Sequence, residues 1–162
     1  MTRPRVVFDA VVFVQALISG RGVAAACVQR VLAGEAILFL SDAVLAEISD
    51  VPLRPELTRR YPYLTPECVG AFVRDVQAVA VHVAAPPKAF KLPRDSKDEP
   101  YTDLAIAVGA AYLVTWNQRH LTYLMQQDTT EGREFCQRFP HLKILTPPEF
   151  LQELARLEFR EE

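Results

Sequence analysis

Cysteine is scarce in this chain, and what there is lies scattered. Cys27, Cys68 and Cys136 are far apart, odd in number and without a CxxC spacing. That argues against a zinc site and against a disulfide framework, and reduced thiols suit the cytoplasm. Cys27 and Cys68 stand in apolar surroundings and read as small core residues. Glycine is sparse too, six in all, and no GxGxxG or GxxxxGK(S/T) loop is present, so a phosphate-cradling nucleotide site is not expected. Positive charge is not in surplus: 18 Lys and Arg stand against 20 Asp and Glu, a net charge of −2. Such a chain does not bind nucleic acid by general electrostatics. RNA contact would need a local basic patch, or a metal that offsets acidic ligands. Apolar runs are broken by Asp, Gln or Gly well before the ~20 residues that span a bilayer, so no membrane segment is expected. Asp9 interrupts the run behind the basic start, which makes a poor signal peptide.

What is present suits one domain. The 162 residues are half apolar and 23% charged, enough for a single sizeable core. No repeat, low-complexity stretch or long linker divides them, so one domain is expected over 1–162, with its core over about 5–154. Arg5–Phe8 is short, apolar and β-branched, which reads as a buried strand ending at Asp9. Further strands are expected at 37–40, 79–83, 112–115 and 141–145. Residues 11–18 could continue the strand or turn into helix, and their length favours helix; a second helix is expected at 23–32, stopped by Gly34. Another starts at Ser41–Asp42, and a short one spans 54–61. Thr65 caps a helix with Pro66 at its first position. A loop over 84–97 leads to an apolar helix over 101–109. Residues 118–127 read as helix, 128–132 as a polar, mobile loop and 147–157 as the closing helix. Strands alternating with helices imply a three-layer α/β/α sandwich around a mostly parallel sheet of about five strands.

Ligands of open parallel sheets bind beyond the carboxyl ends of the strands. Asp9 directly follows the first strand, and Asn117 follows the fourth. Glu99 lies in the first turn of the helix before that fourth strand, and Asp103 is four residues on, a spacing that shares a helix face. Glu47, on the helix after the second strand, can supply another oxygen. The candidate site is therefore Asp9, Glu47, Glu99, Asp103 and Asn117, with Asp9, Glu99 and Asp103 as metal ligands. All are oxygen donors, which suits Mg²⁺ or Mn²⁺ rather than zinc. Such an ion would activate water and stabilise charge in phosphodiester cleavage.

Plainer roles compete for the same residues. Asp9 can cap the helix that follows. Glu47 can be a solvated helix residue, and Asp98 reads as an N-cap rather than a ligand. Glu99 gains from the helix dipole without a metal, and Asn117 can be a turn residue. Asp103 is harder to explain away, because it interrupts an apolar face. His120 reads as structural. Trp116 reads as cover for the sheet edge ahead of a base-stacking platform. Arg54, Arg59 and Arg60 serve equally as a phosphate patch or a solvated face.

Four segments carry a family resemblance: VVFDAVVFVQAL (6–17), FLSDAVLAEI (39–48), RDSKDEPYTDLAIA (94–107) and YLVTWN (112–117), with ILTPPEFL (144–151) closing the series. In order and spacing they resemble the PIN-domain family, in the branch of toxin components of toxin–antitoxin systems. The resemblance implies an endoribonuclease using Mg²⁺ or Mn²⁺ on an RNA substrate, with an antitoxin protein as partner and a homodimer as assembly. It places the family's acids at Asp9, Glu47, Glu99 and Asp103, and its fourth position at Asn117. The chain departs from the family at Ala10 and Val11, where a polar pair is usual, and at Asn117 and Arg119, where acids are common. Those departures keep open an alternative, a non-catalytic PIN-fold module that binds RNA or protein.

Overall fold

The computed structural model describes residues 3–92 and 94–161. The ends of the expected domain at 1, 2 and 162, and Pro93 in the expected loop, lie outside them. Strand β1 (Arg5–Phe8) is followed by helices α1 (Ala10–Ile18) and α2 (Val23–Leu32). Then come β2 (Ile37–Ser41), α3 (Asp42–Asp50), α4 (Pro55–Arg60), α5 (Pro66–Val79) and β3 (Val81–Val83). A strap over 84–92 without regular structure leads to a 3-10 turn (Ser96–Asp98) and α6 (Glu99–Ala107). Strand β4 (Tyr112–Val114), α7 (Thr130–Arg138), β5 (Lys143–Leu145) and α8 (Pro147–Glu161) complete the chain.

All five strands pair in parallel, in the order β3-β2-β1-β4-β5. The expected three-layer α/β/α architecture is the one observed. Parallel strands need crossovers, and helices supply them here. Helix α2 packs between α1 and α8, with α3 against α1 and α5 against α2 and α3, while α6 packs on β1, β2 and β4. Val6, Val7, Phe8, Leu113 and Val114 are fully buried, as strands covered on both faces require. Phe8 meets Phe13 and Phe150 at ring-centroid distances of 5.6 and 5.4 Å, tying the central strand to α1 and α8. A second aromatic cluster joins Phe90 of the strap to Phe135 and Phe139 around α7, at 5.1 and 6.1 Å. The sheet's two edges, β3 and β5, are three residues each. His82 on β3 reaches Asp42 at 2.7 Å, and Lys143 on β5 is exposed. Among the described residues, no single helix is long and apolar enough to cross a membrane.

Several local expectations shift. Helix α5 runs on to Val79, so β3 starts only at Val81. Residues 118–127 form turns and a short 3-10 segment (Thr122–Met125) instead of a helix. Two backbone amides, of Leu121 and Thr122, converge there on the Asn117 carbonyl, a local pattern that side-chain spacing does not announce. The expected mobile loop at 128–132 already contains the start of α7, where Thr129 caps by accepting from the Gly132 amide. Strand β5 is shorter than 141–145, and α8 continues to Glu161. Cys27 is buried as expected, but Cys68 is exposed, because it sits in the first turn of α5 on its outer side.

Gly132 marks the tightest approach in the α7 corner. A Cβ added there would stand 1.9 Å from the Gln126 carbonyl oxygen and 2.8 Å from Thr129 Oγ1. Both atoms are fixed, one by the backbone and one by the cap. Gly132→Ala should therefore destabilise the fold by roughly 1–3 kcal/mol, read as a lower midpoint in denaturant. An unchanged midpoint would show that this corner yields.

Candidate functional site

Strand order places a switch point between β1 and β4, where chain direction around the sheet reverses. Asp9 follows β1, and its amide donates to the Val114 carbonyl, extending the ladder by one bond of 2.9 Å. Its side chain caps α1, with Oδ1 accepting from the Val11 amide at 3.2 Å. Its other oxygen, Oδ2, accepts from Thr115 Oγ1 at 2.8 Å. Thr115 follows β4 and is fully buried. Its hydroxyl also accepts from the Asn117 amide at 3.0 Å. Asn117 is a turn residue and more: Oδ1 accepts from the His120 amide, and Nδ2 donates to Asp98 Oδ2 at 2.8 Å. From α6, the Tyr101 hydroxyl donates to Glu47 Oε2 at 2.6 Å and accepts from the Ala10 amide at 3.4 Å. One phenol thus joins α1, α3 and α6.

These residues open onto a cleft of about 630 Å³. Four carboxylates line it: Asp9, Glu47, Asp95 and Asp98. Two cations, Arg54 and Lys97, stand among them, and Tyr101, Trp116 and Asn117 form part of the wall. Arg54 is paired with Asp50 at 3.0 Å. Asp95 caps the 3-10 turn by accepting from the Lys97 amide.

The structure brings Asp9, Glu47 and Asn117 together at this cleft. It does not bring Glu99 and Asp103 to them. Glu99 Oε1 accepts from the Leu92 amide at 3.1 Å, and Asp103 Oδ1 accepts from the Ala89 amide at 2.9 Å. The two acids do share a helix face, as their spacing implies, but that face grips the strap. Asp103, only 6% exposed, accepts from a part-buried backbone N–H that makes no other hydrogen bond among the described residues. The cleft face of α6 is instead the one carrying Asp98 and Tyr101, three residues apart. Asp98 occupies the N-cap position yet makes no capping bond, because its backbone is already helical and its carboxylate faces Asn117. Asp98, which reads from sequence as a cap, is thus the acid at the start of α6 that lines the cleft. Tyr101, at i+3 from it and i+2 from Glu99, was the available signal.

Electrostatics follow from burial. Asp9 is pushed above its ordinary range by desolvation, against which the Thr115 and Val11 bonds work. Asp98 rises from 3.8 to about 6, chiefly by burial, then by the charges of Asp9 and Asp95, with His120 opposing. Tyr101 is raised as well, by burial and by Asp9, so it stays a donor. Two desolvated carboxylates that repel each other form a site short of positive charge. Its donors are oxygens, which fits a hard cation. Among the described residues, no three acidic, His or Cys side chains stand close enough together to form a metal cage.

His120 lies beside the site without lining the cleft, and its buried Nδ1 has no partner among the described residues. Arg59 and Arg60 are exposed and do not line the cleft.

The model of the PIN domain family matches residues 5–119, which contain every cleft residue named above. No curated protein and no solved structure matches the chain.

Two outcomes test this geometry. Between pH 3.8 and about 6, native Asp98 holds a proton that the unfolded chain releases, so stability falls as pH rises through that window. In metal-free buffer, Asp98→Asn should flatten this dependence and raise stability at neutral pH by about 1 kcal/mol, the partial exposure being allowed for. Thermal melts across that range decide it. Asp103→Ala should cost roughly 1–3 kcal/mol by stranding the Ala89 amide, whereas Asp103→Asn, which keeps an acceptor oxygen, should cost much less. Equal losses in the two variants would rule out the clamp.

Proposed function

The chain belongs to the PIN-domain family, a nuclease-type fold, and we propose that it is a metal-dependent endoribonuclease acting at this cleft. The observation that carries the reading is the pair Asp9 and Asp98, two desolvated carboxylates facing one cleft at the β1/β4 switch point. Their mutual repulsion is relieved by a divalent cation. Mg²⁺ keeps several waters and is commonly bound by one or two carboxylates, so a pair suffices, and Mn²⁺ suits the same oxygens. Bound there, the ion would supply an activated water and offset charge developing on the phosphate. Thr115 orients Asp9, Asn117 orients Asp98, and Tyr101 holds Glu47 with its second oxygen available to water. Arg54 and Lys97 stand where the phosphate backbone of an RNA would enter. In this assignment Asp98 takes the part expected of Glu99, and Asp103 serves the strap.

A toxin role, an antitoxin partner, a homodimer and a cytoplasmic location belong to the same proposal and rest on the motif resemblance and the unpaired thiols alone. A second reading, a non-catalytic module, is favoured by two observations: no three ligating side chains converge among the described residues, and Asn117 brings no charge.

Cleavage of a mixed RNA pool with Mn²⁺, Mg²⁺ or EDTA separates the two. Asp98→Asn should lower metal-dependent cleavage by at least ~100-fold, while Glu99→Gln, which keeps its acceptor for Leu92, should retain most of it. Undiminished cleavage in Asp98→Asn would sink the assignment. A folded protein that binds RNA, cuts none and shows no saturable Mn²⁺ uptake would establish the non-catalytic module.

A further inference from the structure

Trp116 stands where two cavities meet. It lines the acidic cleft on one side, and on the other a gap of about 300 Å³ between the end of α1 and the first turn of α2. We infer that this gap is a subsite for one unpaired nucleobase of the nucleic acid whose backbone enters the cleft. The inference rests on the nuclease reading above for the identity of the ligand.

The ring is held rather than loose. Trp116 Nε1 donates to Gln15 Oε1 at 2.6 Å, which fixes its orientation while 37% of the residue remains exposed. A tryptophan covering the sheet would be spent on the core; this one belongs to the surface. Exposed apolar area continues on both sides of it. Val11, 47% exposed, lines the cleft, and Val23, 41% exposed, lines the gap. The gap's walls are mixed in the way a nucleobase demands. Ile18, Val23 and Ala24 are apolar, while Gln15 and Ser19 offer polar groups at the rim. A flat heteroaromatic ring with a polar edge satisfies both. The volume lies at the lower end of small-ligand sites, roughly 300–1,000 Å³, which suits one ring system and not an extended molecule. Stacking on an aromatic face tolerates any base, so the subsite selects for an unpaired strand and not for a sequence. A base inside a duplex has both faces occupied and would have to leave the helix to reach the ring.

The chain has one tryptophan, so its emission reports this side chain alone. The wild-type protein in Mg²⁺ is titrated with a short single-stranded 2′-O-methyl oligonucleotide, with the same chain made abasic, and with the duplex. Binding is followed in parallel by anisotropy of a labelled strand. Saturable quenching is expected with the base-bearing single strand and not with the other two. Trp116→Ala should bind that strand about tenfold more weakly, and Trp116→Phe, which keeps a ring, should recover most of the loss. Binding that leaves Trp116 emission unchanged, or equal quenching by the abasic chain, would overturn the subsite. RNA cleavage that depends on Asp98 while Trp116 stays silent would remove the subsite and leave the nuclease reading standing. Quenching without any cleavage would do the reverse.

Discussion

Strand β1 pairs with β2 on one side and with β4 on the other, and the chain reaches those two neighbours by opposite routes. No helix can pack across the point where the routes diverge, so a crevice opens at the carboxyl ends of β1 and β4. Asp9 and Thr115 are the first residues past those ends. Their 2.8 Å hydrogen bond closes the crevice floor. The surrounding contacts extend from that floor: Thr115 to Asn117, Asn117 to Asp98, and the Tyr101 hydroxyl across to Glu47. The order of strands therefore decides which acids can meet, and side-chain chemistry only refines the result.

Much of this was legible from residues alone. The apolar, β-branched run before Asp9 identified the central strand, and Ser41 and Thr65 announced their helices as caps that the structure retains. Asp9 and Asn117 lie at the crevice, where strand ends can be read from the stops of apolar runs, and Glu47 joins them from α3. That Asp98 lines the cleft while Glu99 turns to the strap was not legible. Helix α6 emerges from a 3-10 turn, so the angular phase of its first residues depends on backbone geometry that spacing does not encode. A one-residue change of phase is about 100°, enough to exchange Asp98 for Glu99. The α7 corner escaped for a related reason: its polar residues 128–132 look like loop, yet Thr129 and Gly132 are there to start a helix.

The acids that fall outside the cleft have a role of their own. Glu99 and Asp103 take two amides of the strap, and Phe90 anchors the same strap in the α7 cluster. Arg138 adds a bond to the Ala89 carbonyl, and Arg94 lies over the Tyr123 ring at 3.7 Å. The strap leads directly into Asp95, Lys97 and Asp98. Carboxylates thus do two jobs within a few residues of one another. Some present charge to solvent in the cleft, and others spend it on backbone amides so that the first group is held in place.

The sheet's edges carry a different consequence. An unpaired strand is a template on which another chain can add. Here each rim offers only three residues, with His82 engaged by Asp42 at one and the exposed Lys143 at the other. So short a ladder gives an incoming strand few hydrogen bonds, and a charge must be buried to make them. The same brevity that keeps the helices close around a five-stranded sheet therefore protects the molecule against edge-to-edge aggregation.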